Sequence, residues 1–245
     1  MHVPTANALV IPTLGPCRIP SPLQGTEARF VDDTHRVLVS ATTPDLQPFL
    51  ASRQLPPSFE LAGPRAQLYC DPAHVTCGLV TCGGLCPGVN NVIRAIVLTL
   101  TYTYGVRRIL GFRYGYAGLA AQSTTAPLLL TPEVVDTIHE HGGTLLGTSR
   151  GPQDIRDLVN TLVSCNIGVL FTIGGDGTFR GAQALSQELT RRDLKIGVIG
   201  VPKTIDNDLD WVERSFGFAT AVDEARRVIA GAHAEARGAW NGIGL

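Results

Sequence analysis

The sequence predicts an α/β fold: a parallel sheet covered by helices on both faces. Two patterns lead to it. Short apolar runs rich in β-branched residues alternate with stretches of helical period, which is the rhythm of strand–helix–strand units. Glycine-rich segments follow directly after those runs, and in such sheets ligands bind at the carboxyl ends of the strands. With 245 residues and 44% apolar content, the chain has material for a substantial core.

Residues 1–75 carry many turn formers, among them Pro12, Pro16, Pro20, Pro22, Pro56 and Pro57. They read as an N-terminal extension with one short strand near Arg36–Ser40 and no evident chemistry. Residues 76–245 read as the domain that carries the site. Val75–Thr81 is a buried strand, followed by the turn Cys82–Gly88 and a helix over Asn90–Thr103, whose Val92, Ile93, Ile96, Val97 and Leu100 recur at helical spacing. Arg108–Phe112 reads as a strand, and Pro132–His141 as a helix with Thr131 as N-cap and proline in its first turn. Asp154–Cys165 is a helix, Gly168–Ile173 a strongly apolar strand, Gly181–Arg192 a helix, Ile196–Gly200 a strand and Ala219–Arg237 a long helix.

The formal net charge of −1 leaves no electrostatic footprint for nucleic acid or an anionic membrane. No apolar run is long enough to span a bilayer. The first residues lack the basic start and apolar core of a signal peptide, so a cytoplasmic location is expected. The six cysteines form no Cys-x-x-Cys pair, and free thiols are expected rather than disulfides or a metal site.

Three segments carry chemistry. Gly83-Gly84-Leu85-Cys86-Pro87-Gly88 lies between a strand and a helix, where glycines let the backbone approach a ligand and free helix amides attract phosphate. Taken alone, it is equally a tight structural turn. Gly174-Gly175-Asp176-Gly177-Thr178 occupies a second strand–helix junction. Its glycines leave room for a polyphosphate, Asp176 offers a carboxylate to a bridging Mg²⁺, and Thr178 can cap the helix or bond a phosphate. No Gly-Lys-Ser/Thr follows, so it is not a P-loop, and no acidic residue ends the next strand as in a dinucleotide site. Pro202-Lys203-Thr204-Ile205-Asp206-Asn207-Asp208 follows another strand. A carboxylate there can accept a proton from a hydroxyl that attacks a phosphate, and a lysine beside it neutralises the moving phosphoryl charge.

Together with Leu146-Gly147-Thr148-Ser149-Arg150, these segments resemble the phosphofructokinase family, and Ile11-Pro12-Thr13-Leu14-Gly15 with Pro20-Ser21-Pro22-Leu23 is similar to the extension of its plant-type branch. The resemblance implies a three-layer Rossmann-like domain that phosphorylates fructose 6-phosphate to fructose 1,6-bisphosphate with Mg²⁺ and ATP, a glycolytic reaction, in a protein that forms homo-oligomers. By the same resemblance Gly84 lines the nucleotide site, and Arg150 and Gly151 contact the donor phosphates. Gly175, Asp176, Gly177 and Thr178 hold the triphosphate, with Asp176 on the metal. Thr204, Ile205 and Asp206 touch the sugar phosphate, Asp206 is the general base, and Asp208 and Lys203 assist.

Pyrophosphate users in the family carry an aspartate at the position of Gly177, which favours ATP here. Lys203 is typical of pyrophosphate users, but the plant-type branch combines that lysine with the glycine. The family's Met-Gly-Arg loop and second domain are not found in this sequence, where Met1 is the one methionine. The chain is therefore expected to bind nucleotide with little turnover. The alternatives are a pyrophosphate-dependent enzyme, an inactive nucleotide-binding fragment or a subunit that pairs with a full-length homologue, and, more remotely, the NAD and lipid kinases that share a Gly-Gly-Asp-Gly loop.

Overall fold

The computed structural model describes residues 9–120 and 123–243. They form two compact units, one of residues up to His74 together with Thr103–Gly105, the other of Val75–Tyr102 and the residues from Val106 onward.

The first unit is built from small pieces. β1 (Ile19–Pro20) pairs with β4 (Gln67–Leu68), and β2 (Arg36–Leu38) with β3 (Ser58–Glu60), both antiparallel. Between β2 and β3 lies α1 (Thr43–Ser52), which the sequence reading did not anticipate because two prolines fall within it. One of them occupies the first turn, where its missing N–H costs nothing. Asp45 supports the entry by accepting from the hydroxyls of Ser40 at 2.6 Å and Thr42 at 2.7 Å.

The second unit is a five-stranded sheet in the order β7-β6-β5-β8-β9. β5 (Thr76–Thr81), β6 (Arg108–Phe112), β8 (Ile167–Gly174) and β9 (Gly197–Pro202) are parallel. β7 (Leu128–Leu129) closes one edge antiparallel to β6. The sheet is therefore mixed rather than wholly parallel; two residues are too few to show a period in the sequence. α2 (Val89–Leu98) runs into a π-helical turn at Thr99–Thr103. α4 (Ile155–Ser164) is capped by Asp154, whose carboxylate accepts from the Arg156 amide at 2.8 Å. α5 (Asp176–Arg191) links β8 to β9, and α6 (Phe218–Gly238) follows.

From β5 the chain passes through α2 to β6 on one side, and from β8 through α5 to β9 on the other. Right-handed crossovers then put α2 on the face opposite α4 and α5. One core joins Val80, Leu110 and Phe112 of the strands to Leu158 and Leu162 of α4 and Leu185 and Leu189 of α5. On the other face α2 buries Ile93 and Val97.

Two helices differ from expectation. The predicted Pro132–His141 helix is only α3 (Pro132–Val135), followed by a 3₁₀ turn at Ile138–Glu140. Thr131 does cap it, accepting from the Val134 amide at 3.4 Å. The Asp136 carbonyl, however, is taken by Arg94 Nε at 3.0 Å, and the β-branched residues around it hold a helix poorly. α5 begins at Asp176 rather than Gly181, so the Gly-Asp-Gly segment is its first turn and not a loop ahead of it. α6 has a helical pattern but no buried residue, and Val222, Val228 and Ile229 are exposed.

Leu170, in the middle of β8, is fully buried. Leu170→Ala is expected to cost about 2–5 kcal/mol, read as a lowered urea midpoint at equilibrium.

Candidate functional site

The strand order reverses between β5 and β8, and a crevice opens at such a reversal beyond the carboxyl ends of the strands. The backbone there is tightly registered. The Cys82 amide donates to the Ile173 carbonyl and the Lys203 amide to the Gly174 carbonyl, each at 2.9 Å, carrying the ladder one residue past each strand. Gly83 follows with φ +81°, a conformation that favours glycine. Its amide donates to the Ser149 carbonyl at 3.2 Å, and its carbonyl accepts from Thr148 Oγ1 at 2.6 Å. The first glycine loop is thus bound to the segment bearing Arg150. Asn90, buried at the start of α2, braces that segment from below, accepting from the Leu145 amide at 2.7 Å and donating to the His141 carbonyl at 3.0 Å.

At the second junction the N-cap of α5 is Gly175, and no side chain caps the helix. Thr178 therefore does not serve as a cap. It is buried, and its hydroxyl leans over Gly174, where a Cβ would collide with it. The first-turn amides lack a side-chain cap, and such free amides, with the partial positive charge of a helix end, are the donors that attract an anion. Gly177 faces open space. Asp176 is exposed.

The third segment is held by one buried serine. Ser215 Oγ accepts from the Thr204 amide at 3.0 Å and donates to the Thr204 carbonyl at 2.7 Å. Asn207, in the left-handed region at φ +54°, accepts from the Ser215 amide at 2.6 Å. Asp208 accepts from Thr204 Oγ1 at 2.6 Å. The Asp206 carboxylate makes no hydrogen bond or ion pair to the described residues. Two carboxylates that look alike in sequence are therefore unlike in place: Asp208 is fixed within its loop, and Asp206 is free to meet a ligand.

Lys203 is only 5% exposed. Its Nζ donates to the Gly84 carbonyl at 2.5 Å. Burial lowers its pKa from the usual lysine value; the nearby Cys86 and Cys82 oppose that shift, and the like charge of Arg150 adds to it. Gly84 in turn lies close to Arg150, whose Nη2 would be 3.2 Å from a Cβ there.

These parts border two adjoining clefts that share Gly83 and Arg150. The larger, about 610 Å³, is walled by Tyr116, Ile155, Leu158, Gly177 and Arg180 among others and contains no carboxylate. The smaller, about 220 Å³, brings Asp176, Asp206 and Asp208 together with Lys203, Thr204 and Ile205. Gly84 and Gly175 border the smaller cleft, Gly151 and Thr178 the larger. Every residue to which the family resemblance assigns a site role thus borders one of the two.

Four residues important to this arrangement were not singled out. Asn90 and Ser215 act through contacts distant in sequence, which no local pattern reports. Tyr116 is buried and donates from its hydroxyl to the Thr178 carbonyl at 2.8 Å; burial raises its pKa from the ordinary tyrosine value. Arg180 escaped because the helix was expected to begin one residue after it.

Ser215→Ala is expected to cost about 1–3 kcal/mol, measured by thermal unfolding, since it removes both side-chain bonds from Ser215 to the Thr204 backbone. Burial pushes the Cys82 thiol up to about 11, so its thiolate is scarce at pH 8 and increases as pH rises. Iodoacetamide at pH 8 is expected to modify exposed Cys17 at least about 100-fold faster than Cys82, with the Cys82 rate climbing toward pH 10, as followed by peptide mass spectrometry.

Residues 76–243 match the family model described as Phosphofructokinase. The chain is 45% identical over 241 residues to the ATP-dependent 6-phosphofructokinase of Borreliella burgdorferi, covering 96% of this chain and 53% of that protein. It is 48% identical over 242 residues to the ATP-dependent 6-phosphofructokinase of Amycolatopsis methanolica, covering 95% and 52%. It thus spans about half the length of these relatives. The solved phosphofructokinase of Saccharomyces cerevisiae shares the fold at 24% identity and a TM-score of 0.59, over 67% of this chain and 24% of that one. The chain belongs to the phosphofructokinase family.

Proposed function

We propose that this chain carries the donor site and general base of an ATP-dependent 6-phosphofructokinase. The observation that carries the reading is the pair of clefts joined at Gly83 and Arg150. The larger has apolar walls and arginines, suited to a nucleoside and its phosphates. The smaller gathers carboxylates and a lysine, suited to a sugar hydroxyl and the phosphoryl group it receives. The relatives named as ATP-dependent enzymes support the choice of donor, as does the open space at Gly177. An aspartate there would set a negative charge against the nucleotide's α-phosphate.

In this reading the amides at the start of α5 and Arg150 hold the donor phosphates. Asp206 takes the proton of the 1-hydroxyl of fructose 6-phosphate as that oxygen attacks the γ-phosphorus. The bond from the γ-phosphorus to the β–γ bridging oxygen breaks, leaving ADP and fructose 1,6-bisphosphate. Arg150 and Lys203 offset charge on the transferring group. Asp208, bound to Thr204, keeps the loop in shape. Among the described residues no three His, Cys, Asp or Glu side chains form a metal cluster. One or two carboxylates together with substrate phosphates commonly hold Mg²⁺. Asp176 is the residue that would hold it, and when bound the ion would neutralise charge on the β- and γ-phosphates.

Calorimetric titration tests the donor site. The wild-type chain is expected to bind Mg-ATP more tightly than Mg-pyrophosphate, and Asp176→Ala to weaken Mg-ATP by about tenfold or more. A folded chain that binds neither ligand would overturn the reading.

A further inference from the structure

We propose that Arg180 makes the site selective for a nucleoside donor by binding the α-phosphate, the one phosphate that pyrophosphate lacks. The inference rests on the donor-site reading above and adds to it a residue outside the glycine motifs.

Arg180 lies in α5, four residues after Asp176, so the two share a helix face about 6 Å apart along the axis. An acidic residue four before a basic one ordinarily forms an ion pair, and Glu188 and Arg192 do so later in the same helix at 2.6 Å. Asp176 and Arg180 do not: Asp176 borders the smaller cleft and Arg180 the larger. Among the described residues the Arg180 side chain makes no hydrogen bond or ion pair, and neither does that of Arg150. The Arg150 and Arg180 side chains thus border a cleft without a carboxylate, a lining that attracts an anion.

The position of Arg180 along the helix identifies the anion. Phosphates seated on the first-turn amides beside Asp176 account for the distal part of the donor. Arg180, a turn further along toward the apolar walls, meets the next phosphate, which only a longer donor possesses. Gly177 has a second use in this arrangement. A carboxylate there would stand one turn before Arg180 and pair with it, withdrawing the cation from the ligand.

The test compares wild type, Arg180→Ala and Arg180→Lys by calorimetry with three magnesium complexes: ATP, tripolyphosphate and pyrophosphate. Arg180→Ala is expected to weaken ATP and tripolyphosphate about tenfold while pyrophosphate changes by less than about twofold. Arg180→Lys should restore part of the loss. Unchanged ATP affinity in Arg180→Ala, or an equal loss for pyrophosphate, would reject the role of Arg180 and leave the donor site standing. A loss for ATP but not for tripolyphosphate would show that Arg180 reads the nucleoside and reject the phosphate assignment. A wild-type chain that binds none of the three overturns the donor-site reading and this proposal together.

Discussion

Three parallel strands, β5, β8 and β9, end side by side, and each pair of neighbours shares one further backbone hydrogen bond beyond the regular strand. From that level the chain must leave the sheet at once, and it leaves in opposite directions from β5 and β8. Both departures use glycine where a Cβ would meet a neighbour, the Arg150 guanidinium at Gly84 and Thr178 of the same turn at Gly174. The candidate site inherits its rigidity from this constraint. Its backbone at Cys82 and Lys203 is an extension of the sheet ladder rather than a free loop.

Charge is distributed over this frame unevenly. Lys203 is sunk among the loops and tied to the Gly84 carbonyl, so its positive charge sits beneath the ligand floor. Arg150 stands between the two clefts. The carboxylates are confined to the smaller cleft. In the proposed function such separation would let one surface attract a polyanion while the adjoining one keeps Asp206 unpaired, two demands that a uniformly charged pocket could not meet.

The four parallel strands of the sheet were legible in the sequence because buried parallel strands are short continuous apolar runs, and Val75–Thr81 and Gly168–Ile173 are of that kind; the two-residue antiparallel edge strand was not. The glycine and Asp-Asn-Asp segments were legible because their residue types are unusual enough to mark a junction. Legibility failed where a contact distant in sequence decides the outcome. Arg94 takes the Asp136 carbonyl where the helix read from the Thr131 cap and Pro132 already ends. Ser215 holds Thr204 from eleven residues away. The difference between Asp206 and Asp208 is likewise invisible in the sequence, since it depends on which carboxylate Thr204 faces. Arg180 was missed because glycines read as loop, whereas an uncapped helix end tolerates them.

α6, a helix of 21 residues without a buried side chain, has a thermodynamic consequence. The heat-capacity increment and the denaturant slope of unfolding both scale with surface newly exposed. α6 has almost no surface left to expose, so it adds little to either. Nor does it share the cooperativity of the sheet, since few contacts couple its melting to that of β5 or β8. Far-UV circular dichroism should therefore lose helical signal gradually below the main transition, while a probe in the sheet core stays flat until the global melt.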